Sequence, residues 1–143
     1  MYESYTRQSL PAKEYRELLG TALCVFNSNN GFIIENIIRT NTSFDWYELI
    51  DKESGRLRTI ISETISKECD TTEIEELFLK IVSMRNRIIH SFRITSNNGE
   101  QVLATKSRKK EGNIQFEITE EYLMDFIKKN EMLSDLLHQY RGY

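Results

Sequence analysis

Residues 71–96 read TTEIEELFLKIVSMRNRIIHSFRITS, and the fold is decided where one periodicity in them gives way to another. From Ile74 onward, Leu77, Phe78, Ile81, Val82, Ile88 and Ile89 recur at the three- and four-residue spacing of a helix. Thr72 followed by Glu75 has the form of a capping box, which predicts the start of that helix. After His90 the spacing drops to two. SFRITS, QVLATK and NIQFEIT alternate apolar with polar residues, as short half-buried strands do. Asn98-Gly99 predicts a tight hairpin turn, and Gly112 falls in the next turn. Residues 91–118 are therefore expected to form a small β-meander.

The sequence on either side of this segment is helical. Thr119 is expected to cap a long final helix carrying Tyr122, Leu123, Phe126, Ile127, Leu133, Leu136, Leu137 and Tyr140. Upstream, Pro11 opens a pattern through Tyr15, Leu18, Leu19, Ala22, Leu23 and Phe26. NSNNG, residues 27–31, predicts a break. A second helix follows with Ile33, Ile34, Ile37 and Ile38, and with Glu35 and Arg39 spaced to pair. Thr42 or Ser43 offers an N-cap for a short third helix, which Gly55 separates from the stripe Leu57, Ile60, Ile61 and Ile65. The expectation is one mainly α domain over residues 1–143, an up-and-down helical bundle with a β-meander inserted before the C-terminal helix. The meander has too little apolar surface to stand alone, so it should pack on a helix or a partner.

Composition narrows the function classes. The chain has 143 residues, 39% of them apolar, enough for one core without staples. A net charge of −3 argues against broad, sequence-blind coating of nucleic acid, which needs a basic surface to displace counterions. It leaves room for a local basic site. Cys24 and Cys69 have no metal-ligand spacing, are too few for a disulfide framework, and read as small core or half-buried residues of a reducing compartment. No apolar run reaches the length of a membrane span and the N-terminus has no signal-like apolar stretch, which predicts a soluble cytoplasmic protein. No phosphate-cradling glycine loop, Ser/His/Asp arrangement or metal-ligand cluster is visible, so the sequence implies no metal and no cofactor.

The anomaly lies in SMRNRIIH. At about 100° per residue, Arg85 falls about 20° from Ile74, in the middle of the apolar stripe. A buried unpaired guanidinium is far more costly than one more leucine is favourable. Arg85 must have a partner, or the stripe must open into a cleft. Asn86 and His90 stack four apart on another side, and Arg85 and His90 lie about 140° apart. They converge on a small target only if the helix ends near Ile89 or a second copy supplies the complementary pair. Their chemistry is specific. A guanidinium holds a phosphate through two parallel bonds, an imidazole moves protons near neutrality, and an amide orients either. Such a set cleaves RNA by activating the 2′-hydroxyl against the adjacent phosphate, which spares DNA.

RNRIIH, residues 85–90, has the form Arg-polar-x-x-x-His and resembles the signature of the HEPN domains (higher eukaryotes and prokaryotes nucleotide-binding). These are helical bundles, many of them metal-independent RNases of toxin–antitoxin, phage-defence and CRISPR systems. The resemblance implies catalytic roles for Arg85 and His90, a supporting role for Asn86, and a homodimer that joins two motifs in one composite cleft. It also implies single-stranded RNA as substrate and an antitoxin or regulatory protein as a possible partner. The toxin subset paired with nucleotidyltransferase antitoxins resembles Arg-x4-His-x-Tyr; here Phe92 stands at the last position, against a modified-tyrosine mechanism. The meander is not a general feature of the family.

Blander readings stand beside this one. Arg85 fits a structural ion pair with Glu35, Glu63 or another helix carboxylate, and His90 fits a cation at a helix C-terminus. Arg87 and Arg93 are auxiliary phosphate contacts or merely solvated. Lys106, Arg108, Lys109 and Lys110 form the one basic cluster, either a solvated hairpin tip or an arm for an RNA backbone. Trp46 and Tyr47 read as core before they read as base-stacking residues, and His138 as facing solvent or a dimer seam. The leading expectation is a HEPN-type endoribonuclease. The alternatives are a non-catalytic HEPN-like module that binds nucleotide, RNA or a partner protein, and a helical interaction protein in which Arg85 is structural.

Overall fold

In the computed structural model, which describes residues 1–142, helix α1 runs unbroken over Lys13–Thr40. The break expected at residues 27–31 is absent, because the polar side chains there find partners within the bundle. Asn29 Nδ2 donates to the main-chain oxygen of Asn130 at 2.8 Å and to its Oδ1 at 3.0 Å. Gly31 lies beside Trp46; a Cβ there would stand 3.6 Å from the indole, an ordinary van der Waals contact. Helix α2 (Trp46–Ile50) is capped by Asp45, whose carboxylate accepts the Glu48 N–H at 3.0 Å. Thr42 and Ser43 do not cap it; Ser43 is held in a turn by Asn41 Oδ1, which accepts its N–H at 3.0 Å and its hydroxyl at 2.7 Å. The next stripe divides at Thr64 into α3 (Leu57–Glu63) and α4 (Ile65–Cys69).

Helix α5 spans Glu73–Ile89 and ends at His90. The expected capping box does not close. The Thr72 hydroxyl donates to Glu76 Oε1 at 2.9 Å, and Glu75 is drawn into the interior, where it accepts from Ser66 Oγ at 3.1 Å and lies 3.7 Å from Arg58. The meander forms as expected: β1 (Phe92–Thr95), β2 (Gln101–Lys106) and β3 (Gln115–Ile118), antiparallel in the order β1-β2-β3. The first loop is one residue longer than a two-residue hairpin. The Gly99 N–H donates to the Ser96 carbonyl at 2.9 Å, the Ser96 N–H to the Glu100 carbonyl at 2.8 Å, and Gly99 takes φ +86. That combination is a three-residue loop with glycine at the left-handed position. Thr119 caps α6 (Glu120–Arg141) by accepting the Tyr122 N–H at 3.0 Å.

The three long helices alternate in direction along the chain. Tyr15 meets Ile118, Phe26 meets Phe126 and Thr40 meets Tyr140, so α1 and α6 run parallel, side by side. Helix α5 starts beside α4 through Glu75 and Ser66 and ends where Tyr122 donates to the Met84 carbonyl at 3.2 Å, antiparallel to both. The meander therefore sits at the end of the bundle where α1 and α6 begin. One core cluster joins residues of α1 to α6 with Ile118 of the sheet. At its centre Phe26 stacks between Phe78 and Phe126, with centroids 6.5 and 6.2 Å away. Ile89, counted in the stripe by spacing, is 50% exposed because the chain leaves the bundle there. Among the described residues no helix is long and apolar enough to cross a membrane. Cys24 is exposed rather than buried, and Cys69 is half-buried.

Tyr15 fastens the sheet to the bundle. Its hydroxyl donates to the Ile118 carbonyl at 2.6 Å and accepts the Leu103 N–H at 3.3 Å, although Leu103 and Ile118 are themselves ladder partners. A side-chain oxygen thus stands between two strands and completes both backbone groups. Burial pushes the Tyr15 phenol up from its ordinary value.

Candidate functional site

Arg85 has no carboxylate partner among the described residues; neither Glu35 nor Glu63 holds it. It is half-buried, with Cζ 5.0 Å from the centroid of the Phe26 ring, and its Nη1 donates to Asn86 Oδ1 at 3.0 Å. The stripe tolerates a guanidinium because it lies over the ring of Phe26, which in turn stacks with Phe78 and Phe126. The Asn86 amide fixes the guanidinium from the neighbouring position and leaves further N–H donors for another acceptor.

His90 is the C-cap of α5. Its N–H donates to the Asn86 carbonyl at 2.9 Å, its carbonyl accepts from Thr105 Oγ1 at 3.3 Å, and its side chain is exposed. The α5 helix ends at Ile89, as a convergence of Arg85 and His90 on one helix requires. In this last turn Ser91 Oγ donates to the Ile88 carbonyl at 2.6 Å, and one turn earlier Tyr122 reaches the carbonyl of Met84.

Arg87 is not free for a phosphate along its whole fork. Its Nη1 donates to the Lys106 carbonyl at 2.6 Å, which ties the end of β2 to α5. Together with the Thr105 bond, this brings the hairpin after β2 to the side of His90. Within that hairpin Lys106 Nζ donates to Asn113 Oδ1 at 2.6 Å and Arg108 pairs with Glu111 at 2.7 Å. Lys109 and Lys110 are exposed at the tip and make no ion pair among the described residues. Arg93 is exposed on the free edge of β1, where it donates to Gln101 Oε1.

Four surface cavities lie elsewhere. The largest, about 520 Å³, sits between the first hairpin loop and the start of α6 and is lined by Glu100, Glu117, Glu120 and Glu121 among others. Two more follow the α1–α6 seam, and the fourth lies at Tyr140. Arg85, Asn86 and His90 line none of these four; Arg85 and Asn86 are half-buried and joined by a hydrogen bond, and His90 is exposed one turn further along. Among the described residues no group of three or more His, Cys, Asp or Glu is placed to share a metal ion. Trp46 packs on the core, whereas Tyr47 is 77% exposed. The exposed His138 meets Phe32 at a tilt, with ring centroids 4.7 Å apart and planes inclined by 53°.

Spacing did not reveal two contributors to this region. Phe92, just beyond His90 in the chain, is 46% exposed, and its signal was its place in the β1 alternation, on the same face as Ile94. Thr105, fully buried, anchors His90 through a bond no local pattern encodes. Neither protein-family models, curated proteins nor solved structures contain a match to this chain.

Proposed function

We propose that this protein is a metal-independent endoribonuclease of HEPN type, a toxin or defence effector, that acts on single-stranded RNA as a homodimer. The observation that carries the reading is the state of Arg85: a guanidinium on the core stripe, held by Phe26 and Asn86, with no carboxylate among the described residues to neutralise it. A structural arginine at such a position normally pairs with an acid. Arg85 keeps its charge for an incoming anion, and the exposed His90 and the basic hairpin share its end of the molecule.

In the proposed reaction the His90 imidazole takes the proton of a ribose 2′-hydroxyl. The 2′-oxygen attacks the adjacent phosphorus, and Arg85 donates to the non-bridging oxygens as charge builds on them. The bond from phosphorus to the 5′-oxygen breaks, and that oxygen takes a proton from the His90 of a second copy. The products are a 2′,3′-cyclic phosphate and a 5′-hydroxyl end. Arg85, Asn86 and His90 of one protomer come to line a cleft when a two-fold places a second set against them.

Incubation of the pure protein with single-stranded RNA in EDTA, with product ends read by mass, tests the reading. Cyclic-phosphate ends that vanish in His90→Ala support it; intact RNA, or equal cutting by His90→Ala, ends it. The absence of a contact between Arg85 and His90 among the described residues of one protomer favours a second reading, a non-catalytic module that holds RNA, nucleotide or a partner protein on the same residues. RNA binding that survives His90→Ala without turnover selects that reading.

A further inference from the structure

The face of the meander that carries Phe92 has no part in the proposed reaction. Register sets Phe92, Ala104 and Glu117 in one row across the sheet, and Ile94 with Val102 in the next. The opposite face carries Thr105 and Ile118, both fully buried, and Phe116, whose ring meets Tyr122 at 6.1 Å. Successive strand residues point to opposite faces, so Phe92 lies across the sheet from Thr105 and Ile118; it is 46% exposed beside the fully buried Ala104, while Val102, further along the same face, packs on the core.

Lys106 shares that side with Phe92, since it lies two residues beyond Ala104 on β2. Continued two residues past its last pair, the β1–β2 register brings His90 beside Lys106. The bonds from Thr105 to the His90 carbonyl and from Arg87 to the Lys106 carbonyl hold the segments together there. An exposed aromatic ring thus lies on a sheet face whose rim carries an imidazole and Lys106, with Lys109 and Lys110 at the tip of the next loop.

We propose that this face binds single-stranded nucleic acid, with Phe92 stacking one base and Lys106, Lys109 and Lys110 contacting flanking phosphates, and so leads RNA to His90. The proposal rests on the ribonuclease reading for its destination, not for the binding itself. Every base has a π face, so an aromatic platform with cations around it holds single strands whatever their sequence. The charge selects this occupant over a protein: Lys106, Arg108, Lys109 and Lys110 gather on one hairpin of a chain whose net charge is −3. Of the two acids nearby, Glu111 is paired with Arg108 at 2.7 Å, and Glu117, exposed in the same row as Phe92, is outnumbered by Lys106, Lys109 and Lys110. Addition of a strand to the edge of β1 is opposed by Arg93, a charged residue in the middle of that edge.

Fluorescence anisotropy of a short labelled oligouridylate on the full-length His90→Ala protein tests the proposal without turnover. Phe92→Ala and Phe92→Leu are each expected to weaken binding about tenfold. Leucine keeps apolar area but has no π face, while Phe92→Trp keeps the affinity. Replacing Lys109 and Lys110 together by alanine should lower the slope of log affinity against log salt by about 1.4, about 0.7 for each lost phosphate contact. Oligothymidylate should bind comparably, since stacking does not use the 2′-hydroxyl. Unchanged binding by Phe92→Ala and Phe92→Leu overturns the proposal, as does a Phe92 variant whose sole effect is a change of oligomeric state by light scattering. Phe92-dependent binding by a protein that cuts no RNA leaves this proposal standing and ends the ribonuclease reading. Cleavage with an unchanged KM in Phe92→Ala does the reverse.

Discussion

Arg85 lies over the face of Phe26, with 5.0 Å from guanidinium carbon to ring centroid, and Phe26 in turn stacks between Phe78 and Phe126. Three helices thereby meet under one cation. The arrangement separates two jobs a buried-stripe arginine can have. A cation–π contact contributes about 1 kcal/mol at a partly exposed site, whereas a buried ion pair broken on one side costs about 3–5 kcal/mol.

Arg85→Met is the variant that distinguishes them. Methionine covers the Phe26 ring with similar volume, so the melting temperature should stay within about 3 °C of the parent. Cleavage, by contrast, should fall at least about a hundredfold, because the donor to the phosphate is gone. Melting by circular dichroism together with an RNA-cutting assay reads both quantities. A large loss of melting temperature with cutting preserved would make Arg85 a structural residue.

His90→Ala should leave stability within about 0.5 kcal/mol, since the side chain is exposed and only backbone groups of His90 make bonds. Loss of a positioned general base costs about 10²- to 10⁴-fold in rate. Urea titration and single-turnover cutting measure the two sides. A variant that cuts at the parent rate would remove His90 from the chemistry.

Asn29 and Asn130 make a polar pair inside the bundle, 6% and 1% exposed. Asn130 also donates to the Phe126 carbonyl at 2.9 Å. Asn29→Ala should cost about 1–3 kcal/mol, because Asn130 Oδ1 then lacks its donor in a buried site. The double variant with Asn130→Ala should cost less than the sum of the two single changes, as expected for contacting residues. Additive losses in urea denaturation would show that the two do not act as a pair.

This pair also explains which parts of the fold could be read from sequence. The period change at His90, the three strands and the Thr119 cap are local patterns, and each stands where spacing placed it. The break expected at NSNNG was also a sound local inference, and it failed because Asn29 is satisfied by a residue 101 positions away. Glu75 left its capping role for Ser66 for the same kind of reason. In the candidate site the anomaly of Arg85 on an apolar stripe was legible. Its resolution was not, because Phe26 lies on another helix. Bonds between distant segments decided the unbroken α1 and the setting of Arg85, whereas the α2 cap and the hairpin loop were settled by neighbours, Asn41 and Asp45 in the one and Ser96 and Gly99 in the other.

Alkaline pH should loosen the junction of sheet and bundle. Burial pushes the Tyr122 phenol up to about 12, with Asp125 adding to the shift and Arg87 opposing it, and burial raises Tyr15 as well. An unfolded tyrosine ionises near 10. Below that pH both states carry the proton and the contribution to stability is complete. Between about 10 and 12 the unfolded chain releases its protons first, so it binds fewer than the folded one and stability falls as pH rises. The urea midpoint should therefore hold steady up to about pH 9.5 and decline above about 10. Tyr15→Phe should start lower at neutral pH by about 1–3 kcal/mol, since the Leu103 N–H and the Ile118 carbonyl lose the oxygen between them. It should then decline less steeply with pH. Hydrogen exchange at Leu103 would report the opened ladder directly, and protection equal to the parent would mean that the two strands close on each other without the tyrosine.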